Sequence, residues 1–276
     1  MTKGIKLALF LVFLLLTIIL IFGCQNKNSI VQKNAVKVED KAVESEKNEF
    51  PGSQMVAYGN NYHDYLVKPT TPGKFPAVVM MHEWWGLNQN IKDMANDLAK
   101  EGYVVLAVDL YDGKVATTPE DAGKYAAEVS QNADKAISHM KSAVSYLKKQ
   151  DYMIKDSIAS MGWCFGGGMS LQLSLNQELN ATVIYYGSLE TDKSKLSKIN
   201  WPVLGIFGEK DTVINPETVK KFQTELNQLN ITNEIYIYDG VGHAFANPSN
   251  PRHDPQKTKD AWEKTVSFLN RNLKKQ

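Results

Sequence analysis

The chain has 276 residues, with 31 Lys and Arg against 30 Asp and Glu, a formal charge of +1 and 43% hydrophobic residues. That length suits one large α/β domain better than two, and the even charge excludes the basic surplus of a nucleic-acid binder. The two cysteines, Cys24 and Cys164, lie in unlike contexts and do not read as a disulfide.

Residues 1–24 open with Lys3 and Lys6, followed by an uncharged run from Leu7 to Gly23. A basic start and an apolar middle are the layout of a secretory signal. The run closes on Ile21-Phe22-Gly23-Cys24, which resembles the lipobox of bacterial lipoproteins, where a small residue precedes the cysteine that is lipidated. The resemblance implies lipidation at Cys24 and a mature chain anchored outside the cytoplasmic membrane. The competing reading is an uncleaved membrane helix, but the 17-residue run falls short of the roughly 20 residues needed to span a bilayer. Residues 25–53 are polar, rich in Lys and Glu and free of any apolar period, which predicts a flexible tether. The folded domain is expected over 54–276.

From Met55 onward, strand-like and helix-like runs alternate. MVAYG and YHDYLVKP read as a leading pair of strands, and FPAVVMMHE as a strand buried on both faces. NIKDMANDLAKEG predicts an amphipathic helix ending at Gly102. YVVLAVDLY is a second buried strand. Pro119 then opens a helical region to about Lys149, with SQNAD as the break between two helices. The strand SIASMGWC, the helix GGGMSLQLSL and the strands ATVIYYG and PVLGIFGEKD follow. PETVKKFQTELNQL is a helix with proline at its first position, NEIYIYDG a strand, and about Gln256 to Leu273 the last helix. This alternation predicts a mostly parallel sheet with helices on both faces.

In such sheets function gathers at the carboxyl ends of the strands. Standing there are His82, Glu83, Trp84, Trp85, Asp109, Asp112, Cys164, Gly187, Ser188, Asp211 and His243. Gly162-Trp163-Cys164-Phe165-Gly166 has the spacing of the G-x-S-x-G nucleophile elbow, with cysteine at the serine position. No G-x-S-x-G occurs elsewhere to compete with it. A nucleophile at a helix N-terminus is expected to have a lowered thiol pKa. The order Cys164, Asp211, His243 is the α/β-hydrolase order of nucleophile, acid and base. Asp239 is the rival acid, but it stands beside Gly240 in a turn, four residues before His243. His82-Glu83-Trp84-Trp85-Gly86 lacks the second histidine of an H-E-x-x-H zinc motif, so no metal and no cofactor are expected.

With these residues in place, the domain resembles the dienelactone hydrolase family of α/β-hydrolases. The stretches that carry the likeness are MHEWWGL (81–87), VDLY (108–111), GWCFGG (162–167) and GHAF (242–245). The resemblance implies the α/β-hydrolase fold and hydrolysis of an ester, lactone or thioester through Cys164, Asp211 and His243. It also implies that Glu83 helps generate the thiolate and that the oxyanion hole is formed by the backbone N–H groups of Trp84 and Phe165. Members that cleave dienelactone grip its carboxylate with arginines after the D-L-Y strand end and after the catalytic histidine. Here those places read DGKVA and ANPSN, and the chain's only arginines, Arg252 and Arg271, stand elsewhere. Lys114 could replace one as a point charge only, which predicts an uncharged or differently shaped substrate.

Trp85, Tyr111, Lys114 and Phe245 are expected to line the pocket, while Trp163 points away into the core. The expected partners are a small-molecule substrate and the membrane that holds the anchor; the domain is expected to act as a monomer. The alternative from another class is a non-catalytic surface lipoprotein that uses the scaffold to bind a ligand.

Overall fold

The computed structural model describes residues 50–274. The expected signal, its Cys24 junction and most of the tether lie outside the described residues. No helix among the described residues is long and apolar enough to cross a membrane.

The elements run β1 (Ser53–Tyr58), β2 (Tyr62–Val67), β3 (Phe75–Met81), α1 (Gln89–Lys100), β4 (Val104–Val108), α2 (Pro119–Gln131), α3 (Ala133–Leu147), β5 (Met153–Trp163), α4 (Phe165–Ser174), β6 (Ala181–Tyr185), α5 (Lys193–Leu196), β7 (Val203–Gly208), α6 (Pro216–Gln228), β8 (Asn233–Tyr238) and α7 (Pro255–Leu273). One sheet takes the order β1-β2-β4-β3-β5-β6-β7-β8. It is antiparallel at β1–β2 and β2–β4 and parallel from β4 to β8. This is the α/β-hydrolase fold.

The apolar runs explain the layering. Along β3, Ala77, Val79 and Met81 enter one core while Val78 and Met80 enter the other, because successive strand side chains point to opposite faces. Helices α1 and α7 cover one face; α2, α3 and α6 cover the other. Local chemistry sets the helix ends. The Asn88 side chain accepts from Ile91 N–H at the start of α1, and Thr118, ahead of Pro119, accepts from Asp121 N–H. The SQNAD break falls at Asn132, which ends α2 and precedes α3.

Two details differ from the sequence reading. β1 begins at Ser53, at the end of the expected tether, because Ser53 and Gln54 pair with Val67 and Leu66. The single-turn helix α5, capped by Asp192, has too few residues to show a period.

Candidate active site

Only one residue separates β5 from α4, so Cys164 makes the whole turn, at φ 53° and ψ −116°. That conformation is strained for a side chain with a Cβ and persists only where the surroundings enforce it. Here backbone contacts do so. The Cys164 N–H donates to Tyr185 O at 3.0 Å. A Cβ on Gly162 would stand 2.2 Å from Gly166 O, and one on Gly166 would stand 2.3 Å from Met81 O. Strand, elbow and helix therefore meet with no room for side chains, and the sulfur projects at the carboxyl edge of the sheet.

The loop after β8 brings His243 to that sulfur. Its Nδ1–H donates to Asp211 Oδ2 at 2.8 Å, and its Nε2 accepts from the Cys164 thiol at 3.0 Å. Asp211 follows β7; its other oxygen accepts from the N–H groups of Val213 and Ile214 at 2.7 and 2.9 Å. The acid is thus fixed by its own loop, independently of the imidazole it orients. The three residues chosen from chain order stand in one hydrogen-bonded relay. Asp239 is not part of it; its side chain is 91% exposed beside Lys257.

Around the relay the electrostatics differ from the sequence expectation. Burial pushes the Cys164 thiol up to about 12, with the nearby Glu83 and Asp211 carboxylates adding to the rise. The N–H groups of Phe165 and Trp84 lie against the sulfur and oppose that rise. The helix N-terminus does not win, because losing water costs the thiolate more than two amides return. The thiol is therefore held neutral until something changes around it.

Glu83 is 3% exposed, not a surface carboxylate. Burial raises its pKa to about 7, against the Asn247 amide and the nearby Tyr186 hydroxyl, both of which lower it. Asn247 Nδ2 donates to Glu83 Oε2, and its Oδ1 accepts from Ser249 N–H at 2.8 Å. His82 is wholly buried and structural: Nδ1–H donates to Glu83 O at 2.6 Å, and Nε2 accepts from Leu110 N–H at 3.2 Å. It ties the end of β3 to the end of β4 and so fixes where Glu83 starts.

A raised carboxylate pKa carries a stability cost. Between about 4.5 and 7 the folded chain holds a proton on Glu83 that the unfolded chain has released, so stability falls as pH rises through that window. Glu83→Gln, which keeps the shape and removes the charge, is expected to stabilise the fold by up to about 3 kcal/mol at pH 8 and not at pH 4. Urea unfolding at the two pH values measures this. An equal gain at both would show improved packing instead.

The expected pocket wall needs correction. Phe245 is fully buried against Tyr186 and Tyr238, so it is core and not wall. Tyr111 is also buried; its ring packs on His82 and Phe165, and its hydroxyl donates to Trp84 O at 3.2 Å. It braces the loop carrying Trp84. Lys114 pairs with Glu128 at 3.5 Å and, with Tyr111, Tyr125 and His139, lines a cavity of about 220 Å³ whose lining does not include Cys164. Trp84 and Trp85 are half-buried and pack edge to face at 5.0 Å. Trp163 is in the core as expected.

Asn247 and Tyr186 are the site residues that the sequence reading missed. Asn247 follows His243 by four residues in HAFAN, and Tyr186 ends the IYY run. Each had a position at the sheet edge but no motif.

Comparison with known proteins agrees with this architecture. The model of the dienelactone hydrolase family matches residues 62–273. The chain is 33% identical over 226 residues to "Protein usf" of Aquifex pyrophilus, covering 78% of this chain and 97% of that one. It is 31% identical over 253 residues to a "Putative carboxymethylenebutenolidase" of Saccharolobus solfataricus, covering 77% and 95%. Among solved structures, a dienelactone hydrolase-like promiscuous phosphotriesterase from metagenomic libraries superposes with a TM-score of 0.73 at 21% identity, over 80% of this chain and 98% of that one, a likeness of fold. With the sheet, the elbow and most of its length matched, the chain belongs to the dienelactone hydrolase family, a family of ester and lactone hydrolases.

Proposed function

We propose that the protein hydrolyses uncharged carboxylic esters, lactones or thioesters, with Cys164 as the nucleophile, His243 as general base and Asp211 as its orienting acid. The observation that carries this reading is the unbroken relay from the Cys164 thiol through His243 to Asp211, at 3.0 and 2.8 Å. The N–H groups of Trp84 and Phe165 beside the same sulfur support it.

The chemistry follows from the geometry. As Sγ attacks the carbonyl carbon, its proton passes to His243 Nε2. Asp211 stabilises the imidazolium and keeps its tautomer. The carbonyl π electrons move onto oxygen, and the two N–H groups receive the oxyanion. Collapse expels the leaving oxygen or sulfur, which takes the proton from His243. Water, deprotonated by His243, then cleaves the acyl-cysteine and restores the thiol. Glu83, with a pKa near neutrality and a place beside the sulfur, is suited to assist thiolate formation.

The substrate class rests on charge. The groups around the sulfur are Glu83, Asp211, His243 and Tyr186. Lys114 is paired with Glu128, Arg271 with Glu234, and Arg252 is exposed. A substrate carboxylate would enter beside the Glu83 and Asp211 carboxylates, which costs binding. A neutral aryl ester is therefore expected to exceed its carboxylate-bearing analogue in kcat/KM by at least tenfold, the equivalent of about 1.4 kcal/mol. Initial rates on the matched pair check this; preference for the anion would overturn the substrate assignment while leaving the relay intact.

A further inference from the structure

Tyr186 is the residue of this site that the relay leaves unused. It stands one position past β6, with its ring buried against the His243 imidazole (centroids 5.2 Å) and Phe245 (5.9 Å). Two features set it apart. Its φ is +35°, uncommon for an aromatic residue. Its hydroxyl is fully buried and has no aligned hydrogen-bond partner.

The backbone explains the first feature. Gly187 passes so close to α4 that a Cβ there would lie 2.3 Å from the Gly167 carbonyl carbon. The Tyr186 N–H is tied to Ile206 O at 2.7 Å. The chain must turn at Tyr186 to satisfy both.

Packing does not explain the second feature. Phenylalanine would fill the same space without a buried, unpaired oxygen, and an unpaired buried polar atom is a net cost. Strain and an unsatisfied hydroxyl at one residue of a reacting centre point to a role. The hydroxyl faces the Glu83 carboxylate, which in this structure is held by Asn247 Nδ2 instead. Both potential donors are neutral, so neither locks the carboxylate as a cation would.

We propose that Tyr186 is a positioning residue for Glu83: its hydroxyl receives the carboxylate when that group leaves Asn247, and holds it ionised beside Cys164. This rests on the reading of Cys164 as the nucleophile. The groups that face Glu83 are Cys164 from the elbow, Tyr186 from the end of β6 and Asn247 from the loop after β8. Asp211 and His243 lie beyond the sulfur. The neighbouring His82 ring is engaged with Leu110.

The test is Tyr186→Phe in the full chain, read by the pH dependence of kcat/KM on p-nitrophenyl acetate. Loss of a donor to the ionised carboxylate is expected to move the acid limb up by about one pH unit, about a tenfold loss on that limb, with the alkaline plateau kept. The melting temperature is expected to stay level or rise. In a Glu83→Gln background the same substitution is expected to leave the profile unchanged. An unmoved acid limb, or an equal loss in both backgrounds, would overturn the proposal.

Site-specific 3-fluorotyrosine at position 186, a stronger donor of the same size, should move the limb down and serves if the phenylalanine variant fails to fold. The infrared carboxyl band that disappears in Glu83→Gln provides a readout independent of turnover. Its titration should shift upward in Tyr186→Phe, and a static band counts against Tyr186. Full turnover in Cys164→Ala counts against the nucleophile alone.

Discussion

Replacing Cys164 with alanine is expected to lower kcat for p-nitrophenyl acetate by about 10⁴-fold or more, with little change in stability. Alanine at φ 53° inherits the strain that Cys164 already bears, so the fold gains and loses little. What disappears is the atom to which His243 Nε2 stands 3.0 Å away. Asp211→Asn is expected to cost a similar factor by a different route. An amide at that position can present its NH₂ to Nδ1 and reverse the imidazole tautomer, so Nε2 no longer accepts the thiol proton. Stopped-assay rates, with acid-quenched mass spectrometry of the Cys164 peptide, check both. The wild type should show an acyl-cysteine. Equal turnover in wild type and Cys164→Ala would remove the enzymatic reading of the relay.

A second large effect is expected at Gly166. A Cβ there would meet Met81 O at 2.3 Å and His82 O at 2.5 Å. Both are backbone atoms of β3 and its extension, held by sheet pairing and by the His82 hydrogen bonds, so neither can swing aside. Gly166→Ala is expected to cost at least about 3 kcal/mol, or to prevent folding, because the alternative is to part α4 from β3. Gly123, inside α2, has nothing within 4 Å of its virtual Cβ. Gly123→Ala should stabilise by about 0.5–1 kcal/mol through helix propensity. Urea midpoints of the two variants give the comparison. A mild Gly166→Ala would mean that the elbow can relax.

The contrast between these glycines shows what a single sequence can carry. Gly166 was marked by its spacing from Cys164 in a strand–turn–helix pattern, and that spacing is itself the steric constraint. The layering was legible for the same kind of reason. FPAVVMM and YVVLAV are apolar without alternation, which only a strand covered on both faces can sustain. The relay was legible because chain order along a parallel sheet becomes position along its carboxyl edge.

The residues that failed to show themselves lacked such a rule. Asn247 in HAFAN and Tyr186 in IYYG match no periodicity or spacing, and each acquires meaning only from the carboxylate it faces. Phe245 was misplaced as pocket wall because aromatic character does not tell which side of a loop is inward. The structure puts it at full burial against Tyr186 and Tyr238.

Local spacing and chain order thus carried the layered sheet, the elbow at Cys164 and the meeting of Asp211 and His243 with it, because these depend on local sterics and on topology. The protonation of the site was decided by the tertiary structure alone. A helix N-terminus argued for an acidic thiol, yet Cys164 is pushed up to about 12 and Glu83 up to about 7. Desolvation raises both, and the Glu83 and Asp211 carboxylates, brought from the ends of separate strands, raise Cys164 further; these are properties of the folded interior that no linear motif encodes.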